Sequence, residues 1–145
     1  MSDTTRQDAS ALHGPEHVRV YRETDGQYGH DWRKGSSVLL LTTTGRRSGE
    51  PRTNALIYGR SGDDYLVVGS RGGSATAPGW YLNLRDNPEV EVQVLADRFQ
   101  ARARTATADE RPALWAELVS HWPDYDAYQT RTSREIPVVV LERTG

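Results

Sequence analysis

VLLLTTTGRRSGEPR, residues 38 to 52, joins an apolar run directly to a cluster of arginines. Val38 to Thr44 reads as a buried β-strand, because β-branched and leucine side chains follow one another with no charged residue. The strand runs into a turn that gathers Gly45, Arg46, Arg47, Ser48, Gly49 and Arg52, so a hydrophobic floor ends in a cationic rim. Such a turn could be a solvated hairpin whose arginines serve solubility. Three arginines within seven residues beside two glycines favour an anion-binding nest instead.

Working outward, Thr53 to Gly59 makes a second strand, Ser61-Gly62-Asp63-Asp64 a tight turn and Tyr65 to Ser70 a third strand, an antiparallel meander. Ser70-Arg71-Gly72-Gly73-Ser74 is a second basic loop, and it leads to a helix over Trp80 to Arg85, with Thr76 as cap, Pro78 in the first turn and Asn87-Pro88 as stop. Loop and helix start together offer another place where backbone N–H groups face an anion. Glu89 to Leu95 alternates charged and valine residues as a half-buried strand, and Phe99 to Thr105 pairs with it. Thr107 and Glu110 form a capping box for a helix with Leu114, Trp115, Leu118 and Val119 on one face. Asp124 is placed to cap a short helix that brings Tyr125 and Tyr128 to one side, and Ile136 to Leu141 is a final strand.

Upstream, Pro15 to Arg22 reads as a helix with Val18 and Tyr21 inward, and His13 and His17 as a surface pair without metal. Residues 1–14 are expected to be disordered and 15–145 to form one domain. The predicted fold is mainly β (α+β): six antiparallel strands in a small barrel, with helices at its rim that wall a groove rather than cover a sheet.

Composition narrows the function. The longest apolar run is far below the roughly 20 residues of a membrane span, and the polar N-terminus lacks the apolar centre of a secretory signal, which predicts a cytoplasmic protein with at most peripheral membrane contact. The absence of cysteine removes thiol catalysis and thiolate metal sites. The net charge of −2 hides a local excess: residues 33–60 carry six basic side chains against one acidic, whereas 1–32 carry three against six and 61–145 nine against thirteen. One basic segment in an acidic chain suits a compact anionic ligand better than nucleic acid. No nucleophile elbow, no carboxylate pair in an apolar setting and no partnered histidine supplies catalysis, the pattern expected where a cofactor carries the chemistry.

The runs LLLTTTGRRSGEPRTNAL, VVGSRGGSATAPGWYLNL with NPEVEVQV, and WPDYDAYQTRTSREIPVVVLE resemble the deazaflavin (F420)-dependent nitroreductase family of actinobacteria, over roughly His17 to Glu142. The resemblance implies a split β-barrel, coenzyme F420, and hydride transfer to a quinone or nitro compound. It implies that Arg46, Arg47, Ser48, Gly49 and Arg52 hold the cofactor's phosphate and glutamyl tail, that Val68, Gly69, Ser70 and Arg71 with Gly79, Trp80, Tyr81 and Asn83 line the rest of its groove, and that Thr42 approaches the ring. Trp122, Tyr125 and Tyr128 would border the substrate, with Ser70, Tyr125 and Tyr128 as candidate catalytic donors. Trp122 and Arg131 depart from the family pattern. From the residues alone, an FMN reductase on the same barrel and a non-catalytic carrier of an anionic cofactor stay open, as do monomer and homodimer.

Overall fold

A computed structural model describes residues 9–145. The disorder expected at the N-terminus falls, for residues 1–8, outside the described residues. Ala9–Ala11 forms a 3-10 turn, and the Leu12 carbonyl accepts a hydrogen bond from Trp32 Nε1 at 3.0 Å.

The apolar run that opened the sequence is β1 (Val38–Thr44), and both of its faces are covered, which explains why it lacks alternation. Leu39 and Leu41 point into a core with Val92, Val139 and Leu141. Val38 and Leu40 point the other way, against Val18 and Tyr21 of α1 (Gly14–Thr24).

The remaining strands are β2 (Pro51–Ile57), β3 (Gly59–Ser61), β4 (Asp64–Val68), β5 (Glu89–Val94), β6 (Asp97–Thr105) and β7 (Val138–Arg143). All pair antiparallel in one sheet of order β2-β1-β5-β6-β7-β4-β3. The first and last members of that order are consecutive pieces of one stretch of chain, 51–61, interrupted at Tyr58. This is why seven strands stand where six were expected. The single strand predicted over Thr53 to Gly59 has to serve two neighbours at once, so it breaks: β2 pairs with β1, and β3 pairs with β4. The sheet thereby curls into a barrel that closes through the chain itself, and among the described residues the edge of β2 turned away from β1 has no ladder partner. That edge is the split.

Helix α2 (Gly79–Asp86) plugs one end of the barrel with Trp80, Tyr81 and Leu84, and α3 (Arg111–His121) and α4 (Asp124–Thr130) lie outside β4 and β7, where Leu118, Trp122 and Tyr125 meet Leu66, Val68, Val138 and Val140. Contrary to expectation, α1 and α3 do cover the sheet, because β1, β4 and β7 are apolar on both faces. The capping box forms: the Thr107 N–H donates to Glu110 Oε1 at 2.8 Å and the Glu110 N–H to Thr107 Oγ1 at 3.4 Å. Two expected caps do not. Thr76 Oγ1 accepts from Arg71 Nη1 instead, and Asp124 Oδ2 pairs with Lys34 Nζ, at 2.7 and 2.8 Å.

His17 is also corrected, from surface residue to core. It is 2% exposed, and its Nε2–H donates to the Gly29 carbonyl at 2.9 Å. Gly29 has φ 109°, and a Cβ there would meet the imidazole at 3.1 Å. Burial lowers the His17 pKa from its ordinary 6.5. The unfolded chain therefore binds a proton that the folded chain refuses, so stability is full above 6.5 and falls as pH drops toward the lowered folded value. Urea unfolding of wild type and His17→Gln at pH 7 and pH 5 should show a smaller loss of stability on acidification in the variant.

Candidate active site

The arginine turn between β1 and β2 is a closed hairpin. The Gly45 N–H donates to the Glu50 carbonyl and the Gly49 N–H to the Gly45 carbonyl, both at 2.8 Å, and the Glu50 N–H donates to Ser48 Oγ at 3.1 Å. Glycine at 45 leaves room for this arrangement, since a Cβ would lie 2.7 Å from Ser48 Oγ and displace that hydroxyl from the Glu50 N–H. Asn83 of α2 pegs the hairpin to the barrel end. Its Oδ1 accepts from the Arg46 N–H at 3.2 Å and from Arg46 Nη1 at 3.0 Å, while its Nδ2 donates to Thr43 Oγ1 at 3.1 Å. Among the described residues the amides of Arg47 and Ser48 meet no acceptor, as an anion nest requires.

Between this hairpin, the free edge of β2, the loop after β4 and the start of α2 lies a groove of about 940 Å³. Arg46, Arg47, Arg52 and Arg71 line its cationic part, with Ser48, Gly79 and Asn83, and among the described residues no carboxylate lines it. Among the described residues none of the four arginines takes part in an ion pair. Ala55, Leu56, Ile57, Val68, Trp32 and Tyr125 line its apolar part. The Tyr58 N–H donates to the Ser37 carbonyl at 3.0 Å, which fixes the phase of the β1–β2 ladder. In that phase the main-chain groups of Ala55 and Ile57 point away from β1, toward the groove.

Tyr125 is 5% exposed, its ring lies edge-on to Tyr128 at 6.0 Å, and burial pushes its hydroxyl far above the usual phenol range. It therefore stays protonated, and among the described residues the hydroxyl takes no hydrogen-bond partner. Ser70 also lines the groove, and Arg134 Nη2 holds its carbonyl at 2.9 Å.

Other residues singled out from the sequence lie elsewhere. Trp122 Nε1 donates to the Tyr128 hydroxyl at 3.2 Å and Trp122 stacks on Trp32 at 5.9 Å, so both Trp122 and Tyr128 stand behind the wall that Tyr125 and Trp32 present. Thr42 faces away from the groove because Leu41 and Thr43 face inward along the same strand. Its hydroxyl meets that of Thr53 at 2.7 Å, and with Gly49 it borders a shallow depression beside Glu91. Gly69 packs beneath Pro137, and the Tyr81 hydroxyl bonds Thr105 Oγ1 at 2.9 Å within the barrel end. Sequence reading missed Trp32, Asn54, Ala55, Leu56, Ile57, Ala77 and Leu82. Those of β2 were hidden because an interior strand and an edge strand have the same alternation. Among the described residues no cluster of metal-ligating side chains occurs.

A split barrel with a cationic groove along an open strand edge matches the architecture of known reductases. The model of the F420H(2)-dependent quinone reductase family matches residues 14–143, and the chain belongs to that family. It is 44% identical over 130 residues to the F420H(2)-dependent quinone reductase Rv1261c of Mycobacterium tuberculosis, covering 88% of this chain and 87% of that protein. Among solved structures, the F420-H2 dependent reductase FDR-A superposes with a TM-score of 0.68 at 38% identity, over 72% of this chain and 93% of that one. A chain described as a domain-swapped dimer reaches a TM-score of 0.71 at 36% identity, over 86% and 96%.

Replacing Asn83 with alanine strips three hydrogen bonds from a side chain that is 5% exposed. Denaturant unfolding of Asn83→Ala should show a loss of about 1–3 kcal/mol.

Proposed function

We infer that the chain is an F420H2-dependent oxidoreductase that reduces quinones, with the cofactor lying along the groove and the acceptor against Tyr125. Membership of the quinone reductase family supports the activity and the cofactor. The observation that carries the placement is the lining of the groove: four arginines without a carboxylate at one part, and an apolar wall edged by main-chain groups at the other. The first suits the phosphate and acidic tail of the cofactor, since guanidinium groups give forked hydrogen bonds to both. The second suits a flat heteroaromatic ring.

When bound, the reduced cofactor supplies a hydride. Arg47 and Arg52 attract and neutralise its tail, and Arg46, held by Asn83, shapes the nest. Gly79 borders the groove at the start of α2, where its carbonyl lies 3.5 Å from Arg46 Nη1. The apolar wall of Ile57, Val68 and Trp32 excludes water from the acceptor. A quinone that receives hydride gains negative charge on oxygen, and the protonated Tyr125 hydroxyl and Ser70 Oγ are the hydrogen donors for that oxygen. Tyr128, whose hydroxyl accepts from Trp122, acts by fixing α4 rather than by touching the acceptor. Nitro compounds are a further acceptor class for the same donors. A cytoplasmic location agrees with the finding that no described helix is long and apolar enough to cross a membrane. Homodimerisation draws support from the domain-swapped relative.

Titration of F420 fluorescence with the purified protein should report micromolar binding, and a flat titration would overturn the assignment. Arg47→Ala with Arg52→Ala should weaken the affinity at least tenfold and reduce its dependence on salt. With menadione as acceptor, Tyr125→Phe should lower kcat about tenfold, the worth of one hydrogen bond, while leaving F420 affinity unchanged. Binding without any menadione reduction would mark the protein as a carrier.

A further inference from the structure

The loop after β4 runs through left-handed backbone at three consecutive residues, Arg71 at φ 45°, Gly72 at 64° and Gly73 at 83°. Glycine adopts this freely, but Arg71 pays about 1 kcal/mol or more, so the surroundings must hold the turn in place. Arg134 grips both of its stems. Its Nη2 donates to the Ser70 carbonyl at 2.9 Å and the Gly69 carbonyl at 3.1 Å, and its Nε donates to the Ser74 carbonyl at 2.8 Å. Among the described residues no carboxylate competes for this guanidinium.

Arg134 is itself fastened to α4. Gln129 Nε2 donates to the Arg134 carbonyl at 2.8 Å, and Gln129 Oε1 accepts from the Ile136 N–H at 2.9 Å. Two further contacts join the same loop and helix. Arg131 Nη1 approaches the Gly72 carbonyl at 3.4 Å, and Gly73 lies so close to α4 that a Cβ would fall 2.5 Å from the Tyr128 carbonyl oxygen. The loop carries Ser70 and Arg71, and the helix carries Tyr125; all three line the groove.

We propose that Arg134 is a positioning residue that clamps the Ser70–Ser74 loop to α4, so that the cationic side of the groove and its Tyr125 side keep one alignment. What the two sides bind rests on the proposed function, whereas the clamp does not. Neither Arg134 nor Gln129 lines the groove. Arg134 acts on the groove through the Ser70 carbonyl and the neighbouring carbonyls of Gly69 and Ser74, and Gln129 acts through Arg134.

Hydrogen–deuterium exchange of the protein without cofactor tests the clamp directly. In Arg134→Gln the amides of 70–74 and 125–130 should exchange about tenfold faster than in wild type, while those of β1, β5 and β6 stay within about twofold. Gln129→Ala should loosen the same two segments, and the double variant should loosen them little further. Addition of F420 should slow exchange in 125–130 of wild type, but in Arg134→Gln only in 46–52 and 70–74. If Arg134→Gln fails to fold, Arg134→Lys, which keeps the charge but spans fewer carbonyls, should produce the same pattern at smaller amplitude. Unchanged exchange in both segments, or an increase spread equally over the strands, would overturn the clamp. Absence of F420 binding by wild type would sink the functional reading while leaving the cofactor-free exchange pattern to decide the clamp.

Discussion

One stretch of chain, 51–61, has to bond to β1 on one side of the barrel and to β4 on the other, and most of the architecture follows from that double duty. A strand cannot lie flat against two neighbours that have curled apart, so it breaks at Tyr58. The break closes the barrel covalently and leaves the groove-side edge of β2 bare. Tyr58 itself fits the role of a corner: its hydroxyl bonds His30 Nε2 at 2.8 Å, and its ring meets Tyr65 edge-on at 5.4 Å. Main-chain groups that would elsewhere join a ladder are thereby placed on the wall of a cavity.

Around that edge the protein separates charge from apolar surface. Several arginines on the strands outside the groove are neutralised: Arg104 by Glu110 and Glu142, Arg102 by Glu89, Arg143 by Asp97. Among the described residues, Arg46, Arg52 and Arg71 instead meet carbonyl, carboxamide and hydroxyl groups. Such partners orient a guanidinium without cancelling its charge, so the field of the cradle stays available to a ligand. Tyr125 is the apolar counterpart, a hydroxyl kept protonated by burial.

Much of this was legible in the residues. The apolar run Val38–Leu41 announced a buried strand, the alternation of Glu89–Val94 announced a half-buried one, and Thr107 with Glu110 announced its helix. The arginine turn and the Ser70–Gly73 loop were recognised as a pair, and the groove does bring Arg46, Arg52, Ser70 and Arg71 to one cavity. What the residues did not reveal depends on contacts distant in sequence. His17 is buried because Gly29 receives its imidazole, Trp32 reaches the groove because Trp122 stacks against it, and Asp124 abandons its helix cap because Lys34 stands over the same corner. Edge and interior strands share one alternation pattern, so the bare flank of β2 left no local mark.

That bare flank has a consequence for how copies of the protein meet. An unpaired strand edge invites a second edge to dock and extend the sheet, and proteins commonly discourage this by placing charge beside it. Arg46, Arg47 and Arg52 stand at the mouth of β2 in every copy, so two identical flanks approach one another with like charges first. Charge left unpaired on the groove side thus also sets two such flanks against each other. A ligand long enough to run from the cradle along β2 both screens that repulsion and covers the edge, and so withdraws the invitation at the moment it lowers the guard.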